Sequence, residues 1–138
     1  PTIAFFGQKD LQQLQIVKAL VKQMQSDIQI IGIETIREEN GLAKSSRNEL
    51  LSTSAKQEAI LINECLQYCA SNKDLEIKTL QDYIKKQFIK NTNFKLEYAE
   101  FVSLKSLLPI KRWEVKNQNA ICIAAYIEGV RLIDNIIL

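Results

Sequence analysis

The first part of the chain alternates between short apolar runs and one segment with helical periodicity. The run Ile3-Ala4-Phe5-Phe6 ends at a glycine and is typical of a strand buried on both faces. From about residue 10 to 25 the apolar residues recur on one helix face: Leu14, Val17, Val21 and Met24. A second run, Ile28 to Ile33, is again apolar and β-branched. Residues 1–34 therefore predict a βαβ unit with a right-handed crossover and a parallel sheet.

The rest of the chain predicts helices first and strands afterwards. Two apolar stripes at helical spacing predict helices over residues 52–72 and 75–90, and Ser52 is a typical N-cap for the first. Apolar segments predict strands at about residues 96–102, 120–127 and 130–137. Glu128-Gly129 is predicted to form the two-residue turn of a hairpin between the last two strands. Residues 35–51 are predicted to form a loop.

These elements indicate an α/β fold in two parts. Residues 1–35 are predicted to be the terminal βαβ unit of a doubly wound, parallel-sheet nucleotide-binding domain. Residues 36–138 are predicted to form a small α+β domain of two helices on a three-stranded antiparallel sheet. A two-stranded parallel sheet that is apolar on both faces is not stable alone. We therefore expect the earlier part of the doubly wound domain to lie N-terminal to Pro1.

The amino-acid composition and net charge indicate which classes of binding partner are not expected. The chain has 138 residues, 46% of them apolar, and a formal net charge of +2. Because the lysines are spread along the predicted helices, this small excess does not indicate binding to nucleic acid or to a membrane surface. No apolar run approaches the roughly 20 residues of a membrane-spanning helix, and we expect no signal peptide. We therefore expect a cytoplasmic location.

The cysteine and histidine content limits the chemistry of the chain. Cys65 and Cys69 share one face of a predicted helix, and Cys122 lies in a predicted strand. Without a third or fourth ligand nearby, we expect no metal site and interpret all three as small buried residues. Histidine is absent. This excludes Ser-His-Asp and Cys-His catalysis within the chain and leaves carboxylates, lysines and tyrosines for proton transfer.

Two polar stretches could bind a polyphosphate. Gly41 to Asn48 reads Gly-Leu-Ala-Lys-Ser-Ser-Arg-Asn, in which hydroxyls and backbone N–H groups can donate while the cations neutralise charge. Phe5 to Leu14 leads from a buried strand through a glycine turn into a helix, where an anion can use the helix N-terminus. The alternatives are a solvated loop for the first stretch and, for Lys9 and Asp10, a helix start capped by the aspartate.

Together, in this order, the two stretches resemble the pantothenate synthetase (pantoate–β-alanine ligase) family, and Gly129 to Asn135 fits the same family. The resemblance runs from Pro1 to the end of the chain and covers only the second half of that enzyme. It implies a two-step reaction: ATP activates pantoate as pantoyl adenylate with release of pyrophosphate, and the amine of β-alanine then attacks to give pantothenate and AMP. It also implies ATP with Mg²⁺, and a homodimer at full length.

The resemblance implies a role for each residue of the first stretch. Gly7, Gln8, Lys9 and Asp10 match the first ATP segment of the family. Gly7 would let the backbone approach the nucleotide, Lys9 would bind a phosphate, and Asp10 would hold the ribose hydroxyls. Gln13, one helical turn after Lys9, matches the glutamine that hydrogen-bonds pantoate.

The second stretch supplies the other implied ATP contacts. Ile36 matches the residue whose backbone meets the adenine, and Lys44-Ser45-Ser46-Arg47 matches the second ATP segment. Lys44 is a departure, because the family usually has an apolar residue there, and we expect its amine to point to solvent. The residues that we expect to stabilise the charge developing on pyrophosphate are Lys9, Ser45 and Arg47.

The resemblance also implies that essential parts are missing. The family's histidine-containing nucleotide motif and its Mg²⁺ ligands belong to the first half of the enzyme, so we expect this chain alone not to catalyse ligation. We interpret residues 36–138 as a domain that closes over ATP. The alternatives are a stand-alone nucleotide-binding or interaction module without catalysis, and a related nucleotidyltransferase with another acid substrate.

Overall fold

The N-terminal region forms the βαβ unit that the hydrophobic pattern predicts. The computed structural model describes residues 2–138. Its first three elements are strand β1 at Ile3–Gly7, helix α1 at Leu11–Gln23 and strand β2 at Gln29–Ile33. The two strands pair in parallel, with Phe5 opposite Ile31 and Gly7 opposite Ile33. The carboxyl ends of both strands therefore lie at the same edge, where α1 begins.

Helix α1 packs against both parts of the chain through two buried leucines. Leu14 lies over Gly32 of β2, so closely that a Cβ at Gly32 would stand 2.9 Å from the leucine Cδ2. Leu11 instead joins a small apolar cluster with residues of the antiparallel sheet, including Val102 and Ala120. These contacts hold the start of α1 beside that sheet.

The middle of the chain is helical, and its helices are shorter than predicted. A 3₁₀ helix precedes three α-helices: the 3₁₀ helix spans Ser46–Leu50, α2 spans Thr53–Glu58, α3 spans Ile60–Ser71 and α4 spans Ile77–Lys90. Ser52 is the N-cap of α2, as predicted, and its hydroxyl accepts from the N–H of Ala55. The prediction of one uninterrupted helix from Ser52 to Asn72 was wrong. At Ala59 the backbone tightens to an i to i+3 hydrogen bond, from Ile62 N to Ala59 O at 3.3 Å, which separates α2 from α3.

The C-terminal region forms the predicted antiparallel sheet. Its strands are β3 at Phe94–Ser103, β4 at Asn119–Ile127 and β5 at Val130–Ile137, with β4 in the centre. Glu128 and Gly129 both have positive φ, 50° and 74°, which is the geometry of a tight two-residue hairpin turn. The α/β fold with a parallel pair and a three-stranded antiparallel sheet is therefore confirmed.

The main core lies between the helices and this sheet. Its completely buried side chains include Leu66, Leu80, Ile84, Ile121 and Ile123. The central strand β4 is buried along almost its whole length. Within the described residues, none of the helices has the length and apolar character needed to cross a bilayer.

Candidate functional site

The turn between β1 and α1 contains three of the residues singled out from the sequence, Gln8, Lys9 and Asp10. The N–H of Gln8 donates to the carbonyl of Ile33 at 2.7 Å, which extends the parallel pairing by one residue. Asp10 occupies the N-cap position of α1, but its carboxylate makes no capping hydrogen bond. Asp10 therefore has the position that the alternative gave it but not the capping hydrogen bond, and its carboxylate is available to other partners.

The second polar stretch is ordered by its own hydrogen bonds. Gly41 has a φ of 91°, and the peptide N–H of Gly41 donates to Glu38. Ser45 caps the 3₁₀ helix, its hydroxyl accepting from the N–H of Arg47 at 3.3 Å. The amide of Asn48 donates to the carbonyl of Ala43 at 3.0 Å from a buried position. The predicted loop thus ends in a 3₁₀ helix whose start is set by Ser45.

Strand β5 contacts both polar stretches through two successive buried residues. The Asp134 carboxylate accepts from both Nη groups of Arg37, at 2.6 and 3.0 Å, and Arg37 also donates to the carbonyl of Gly41, the first residue of the second polar stretch, at 3.1 Å. The Asn135 side-chain Nδ2 donates to the main-chain carbonyls of Gln8 and Lys9, at 3.0 and 2.8 Å. One end of β5 therefore holds the β1–α1 turn on one side and the second polar stretch on the other.

A cleft of about 230 Å³ opens between α1 and the antiparallel sheet, and we call it the α1 cleft. The residues with hydrogen-bonding or charged side chains that line it are Lys9, Asp10, Gln12, Gln13, Tyr98, Arg131, Asp134 and Asn135. The structure thus brings together Lys9, Asp10 and Gln13, which the sequence had singled out. The cations Lys9 and Arg131 and the amide of Gln13 give the cleft groups that can bind a small anion with hydroxyl groups.

A crevice of about 10 Å³, no more than the space of one water molecule, joins the β1–α1 turn to the second polar stretch, and we call it the β5 crevice. Lys9 and Ser45 both line it, together with Arg131, Asp134 and the amides of Asn48 and Asn63. Lys9 and Arg131 also line the α1 cleft, so the two openings share their cations. Two residues far apart in sequence, Lys9 and Ser45, therefore face one space.

Arg131 is the residue that the sequence reasoning missed. Its Nε donates to a carboxylate oxygen of Glu97 at 2.7 Å, and this hydrogen bond raises the pKa of the guanidinium above its usual range. An Nη group of Arg47 lies 3.5 Å from the main-chain carbonyl of Arg131, so Arg47 is on the same side of the molecule. The alternation of side chains along a strand could have placed residue 131 on the same face of β5 as Ile133. The neighbouring sequence, however, does not indicate which cleft that face borders.

Burial changes the acidity of two groups in the α1 cleft. Burial raises the pKa of the Tyr98 hydroxyl, an effect that the charge of Arg131 partly opposes. Burial, with a smaller contribution from the charge of Glu100, raises the pKa of Cys122 to about 11. Both groups are therefore protonated at neutral pH, and Cys122 is not a thiolate nucleophile in this cleft.

The remaining sequence candidates lie away from these two openings. Lys44 and Ser46 line an outer groove, which Ser45 also borders, and the Lys44 amine lies there 3.8 Å from a carboxylate oxygen of Glu38, with both side chains half exposed. Ile36 is exposed and lines neither opening, and its carbonyl accepts from the N–H of Lys44. Gly7 ends β1, where a Cβ would meet nothing within 4 Å. Among residues 2–138 no group of three or more acidic, cysteine or histidine side chains is arranged to hold a metal.

Comparison with known proteins gives one consistent result. The model of the pantoate-beta-alanine ligase family matches residues 1–137. A pantothenate synthetase of Christiangramia forsetii is 40% identical over the whole chain, which covers 49% of that protein. The bifunctional pantoate ligase/cytidylate kinase of Trichodesmium erythraeum is 39% identical, and the chain covers 27% of it. The chain spans about half the length of the pantothenate synthetases it matches, their C-terminal half.

Solved structures agree with the sequence matches. The crystal structure of pantothenate synthetase from Thermus thermophilus superposes with a TM-score of 0.87 at 29% identity, over 99% of this chain and 49% of that one. A pantoate-beta-alanine ligase of Francisella tularensis, complexed with beta-gamma ATP and beta-alanine, superposes with a TM-score of 0.61 at 28% identity. That match covers 99% of this chain and 43% of the other.

Proposed function

Because the chain belongs to the pantoate–β-alanine ligase family, we propose that it forms the C-terminal half of an enzyme that joins pantoate to β-alanine. In the first step, a pantoate carboxylate oxygen attacks the α-phosphorus of ATP, which gives pantoyl adenylate and releases pyrophosphate. In the second step, the β-alanine amine attacks the acyl carbon, and AMP leaves with the bonding electrons. The amine loses a proton as the amide of pantothenate forms.

The observation that carries this proposal is the shared crevice of Lys9 and Ser45. The crevice itself is too small to hold a phosphate group. The ammonium group of the β1–α1 turn and the hydroxyl of the second polar stretch would therefore donate to phosphate oxygens of one nucleotide that lies outside it, on the side of Lys9 and Arg131, which also line the α1 cleft. Arg47, next to the main chain of Arg131, adds a guanidinium on the same side. Positioned cations of this kind stabilise the charge that develops on leaving pyrophosphate, by several kcal/mol in comparable sites.

The α1 cleft supports the assignment of the acid substrate. Asp10 is free of any capping hydrogen bond, so its carboxylate can accept from ribose hydroxyls. Gln13 lines the same cleft one helical turn further on and can donate to pantoate while Lys9 binds phosphate. Nucleotide and pantoate are then adjacent, as an in-line attack on the α-phosphorus requires.

The same proposal assigns different roles to the two parts of the chain. Residues 1–35 complete a nucleotide-binding domain, and residues 36–138 close over ATP and exclude water from the adenylate. Mg²⁺ accompanies ATP, and we place its ligands and the histidine-containing motif in the other half of the enzyme. The 138-residue chain alone is then inactive, and the full-length enzyme is a cytoplasmic homodimer.

The test is the stoichiometry of the full-length protein with its substrates. Purified enzyme should form one pantothenate, one AMP and one pyrophosphate from pantoate, β-alanine and Mg-ATP. Without β-alanine, it should release pyrophosphate once per active site in a burst that requires pantoate. Omission of pantoate is the matched control, because ATP binding remains possible and acyl transfer does not.

Two outcomes would replace the proposal. ATP binding without pyrophosphate release under any combination of substrates would support a nucleotide-binding module without catalysis. Pyrophosphate release that another carboxylic acid supports and pantoate does not would identify a related nucleotidyltransferase.

A further inference from the structure

Asn135 is a buried polar side chain to which no function has yet been given. It is 6% exposed, and its Nδ2 donates to the carbonyls of Gln8 and Lys9, at 3.0 and 2.8 Å. Both amide hydrogens of Asn135 are thus used on two successive peptide groups of the β1–α1 turn. The next residue along the chain towards the hairpin, Asp134, is bound to the other polar stretch through Arg37.

The two carbonyls determine where the following N–H groups point. In a trans peptide group the C=O of one residue and the N–H of the next are antiparallel and lie in one plane. When the carbonyls of Gln8 and Lys9 face Asn135, the N–H groups of Lys9 and Asp10 face the opposite side of the turn. Within residues 2–138, neither of these N–H groups donates to another part of the protein.

From this geometry we infer that Asn135 is a positioning residue for the nucleotide site, which aims the free N–H groups of Lys9 and Asp10 at bound polyphosphate. The inference rests on the proposed function. Backbone donors beside the start of a helix bind anions well when their direction is fixed in advance, because no reorganisation is then needed on binding. Asn135 supplies that fixed direction with both of its amide hydrogens, although it also lines the α1 cleft.

The chain offers a matched control for this role. Asn119 of β4 is likewise buried, at 8% exposure, and its side chain makes two hydrogen bonds to loop backbone. Its Nδ2 donates to the carbonyl of Glu114 at 3.1 Å, and its Oδ1 accepts from the N–H of the same residue at 3.2 Å. Both asparagines therefore anchor a loop, but Asn119 lines neither the α1 cleft nor the β5 crevice.

The experiment compares Asn135→Ala, Asn135→Asp and Asn119→Ala in the full-length enzyme. Asn135→Ala should lower kcat/KM for ATP by roughly 10- to 100-fold, because a small misplacement of donors weakens stabilisation of the transition state. Asn135→Asp should be worse than Ala at pH 8, since it directs a carboxylate at two carbonyl oxygens. Asn119→Ala should change kcat/KM less than threefold, although it loses as many hydrogen bonds.

Hydrogen exchange gives a second readout that does not depend on activity. In Asn135→Ala, the bonded amides of Gln8 and Leu14 should exchange faster, because the turn between them loses its anchor. In Asn119→Ala, the faster exchange should instead be confined to residues 112–119. Unchanged exchange of the turn amides in Asn135→Ala, or kinetics equal to those of Asn119→Ala, would overturn the inference without affecting the proposed ligase function.

The two proposals fail in different ways. Absence of pantoate-dependent pyrophosphate release from the unmodified enzyme would remove the proposed function. The exchange measurement on the turn would still decide whether Asn135 holds the Gln8 and Lys9 peptide groups in place.

Discussion

Arg37 and Asp134 form a bidentate ion pair across 97 positions of sequence, with N–O distances of 2.6 and 3.0 Å. The Asp134 side chain is only 4% exposed and that of Arg37 is 25% exposed. The same guanidinium donates to the carbonyl of Gly41 at 3.1 Å. The Arg37 side chain thus holds the segment that leads into the second polar stretch against β5.

Replacing Arg37 with methionine should destabilise the protein by about 3 kcal/mol, because it leaves a buried carboxylate without its partner. The free energy of unfolding from urea titration at pH 7 measures this. The double variant Arg37→Met, Asp134→Asn should recover part of the loss, since no unpaired charge remains. If the loss of stability in the double variant equals the sum of the losses in Arg37→Met and Asp134→Asn, the two side chains are not coupled.

The cations of the two polar stretches should differ sharply in importance. Lys9→Ala and Arg47→Ala should each lower kcat/KM for ATP by roughly 100-fold or more in the full-length enzyme, because each removes a cation beside the shared crevice. Lys44→Ala should change it less than threefold, since that amine lies in the outer groove near Glu38. Similar losses for Lys44 and Arg47 would contradict this distinction.

Gln13 should affect one substrate and not the other. Gln13→Ala should raise the KM for pantoate about tenfold, the effect of one lost hydrogen bond, and leave the KM for ATP within twofold. Gln15→Ala, on the same helix but lining neither opening, is the control. Equal increases in both KM values would argue against the pantoate assignment.

Two glycines of the parallel pair should respond in opposite ways to alanine. At Gly7 a Cβ meets no protein atom within 4 Å, so Gly7→Ala should keep its stability but raise the KM for ATP if the backbone approaches the nucleotide there. At Gly32 a Cβ would stand 2.9 Å from a Leu14 methyl, so Gly32→Ala should lower the melting temperature by several degrees. Thermal denaturation and ATP kinetics on both variants separate the two effects, and unchanged ATP kinetics in Gly7→Ala would remove the role proposed for this glycine.

The buried thiols should make stability fall in alkali. Burial raises the pKa of Cys65 to about 12, helped by the neighbouring Cys69, and that of Cys69 to about 11, against a usual value of 9.0. Above pH 9 the thiols ionise in the unfolded chain before they ionise in the folded one, so the unfolded chain binds fewer protons. The contribution of the protonated thiols to the free energy of unfolding is therefore complete only below pH 9. That contribution is lost as the pH rises to 11 and above, by about 2 kcal/mol per thiol at pH 11.

Urea titrations between pH 8 and pH 11 check this, with Cys65→Ala, Cys69→Ala as the comparison. The double variant should lose less stability over that range than the unmodified protein. Parallel pH profiles for the two would mean that these thiols ionise as easily in the folded state as in the unfolded one.

Secondary structure was largely readable from spacing. The apolar run before Gly7, the stripe on α1 and the Glu128-Gly129 turn predicted β1, α1 and the β4–β5 hairpin because each depends on neighbours only a few residues away. The interruption at Ala59 was not readable, since the sequence around it has uniform helical character. Its tightened turn becomes visible only in the backbone hydrogen bonds between α2 and α3.

By itself, the sequence determined the order of the helices and strands, the parallel and antiparallel pairing, and the two polar stretches with the chemistry to bind phosphate. Only the tertiary structure decided that Lys9 and Ser45 line one crevice together with Arg131 and Asp134, and that Asn135 holds the β1–α1 turn. The physical reason is distance along the chain. Local periodicity carries no information about which side chains meet across about a hundred residues, whereas strand register and the packing of α1 on the sheet place them together.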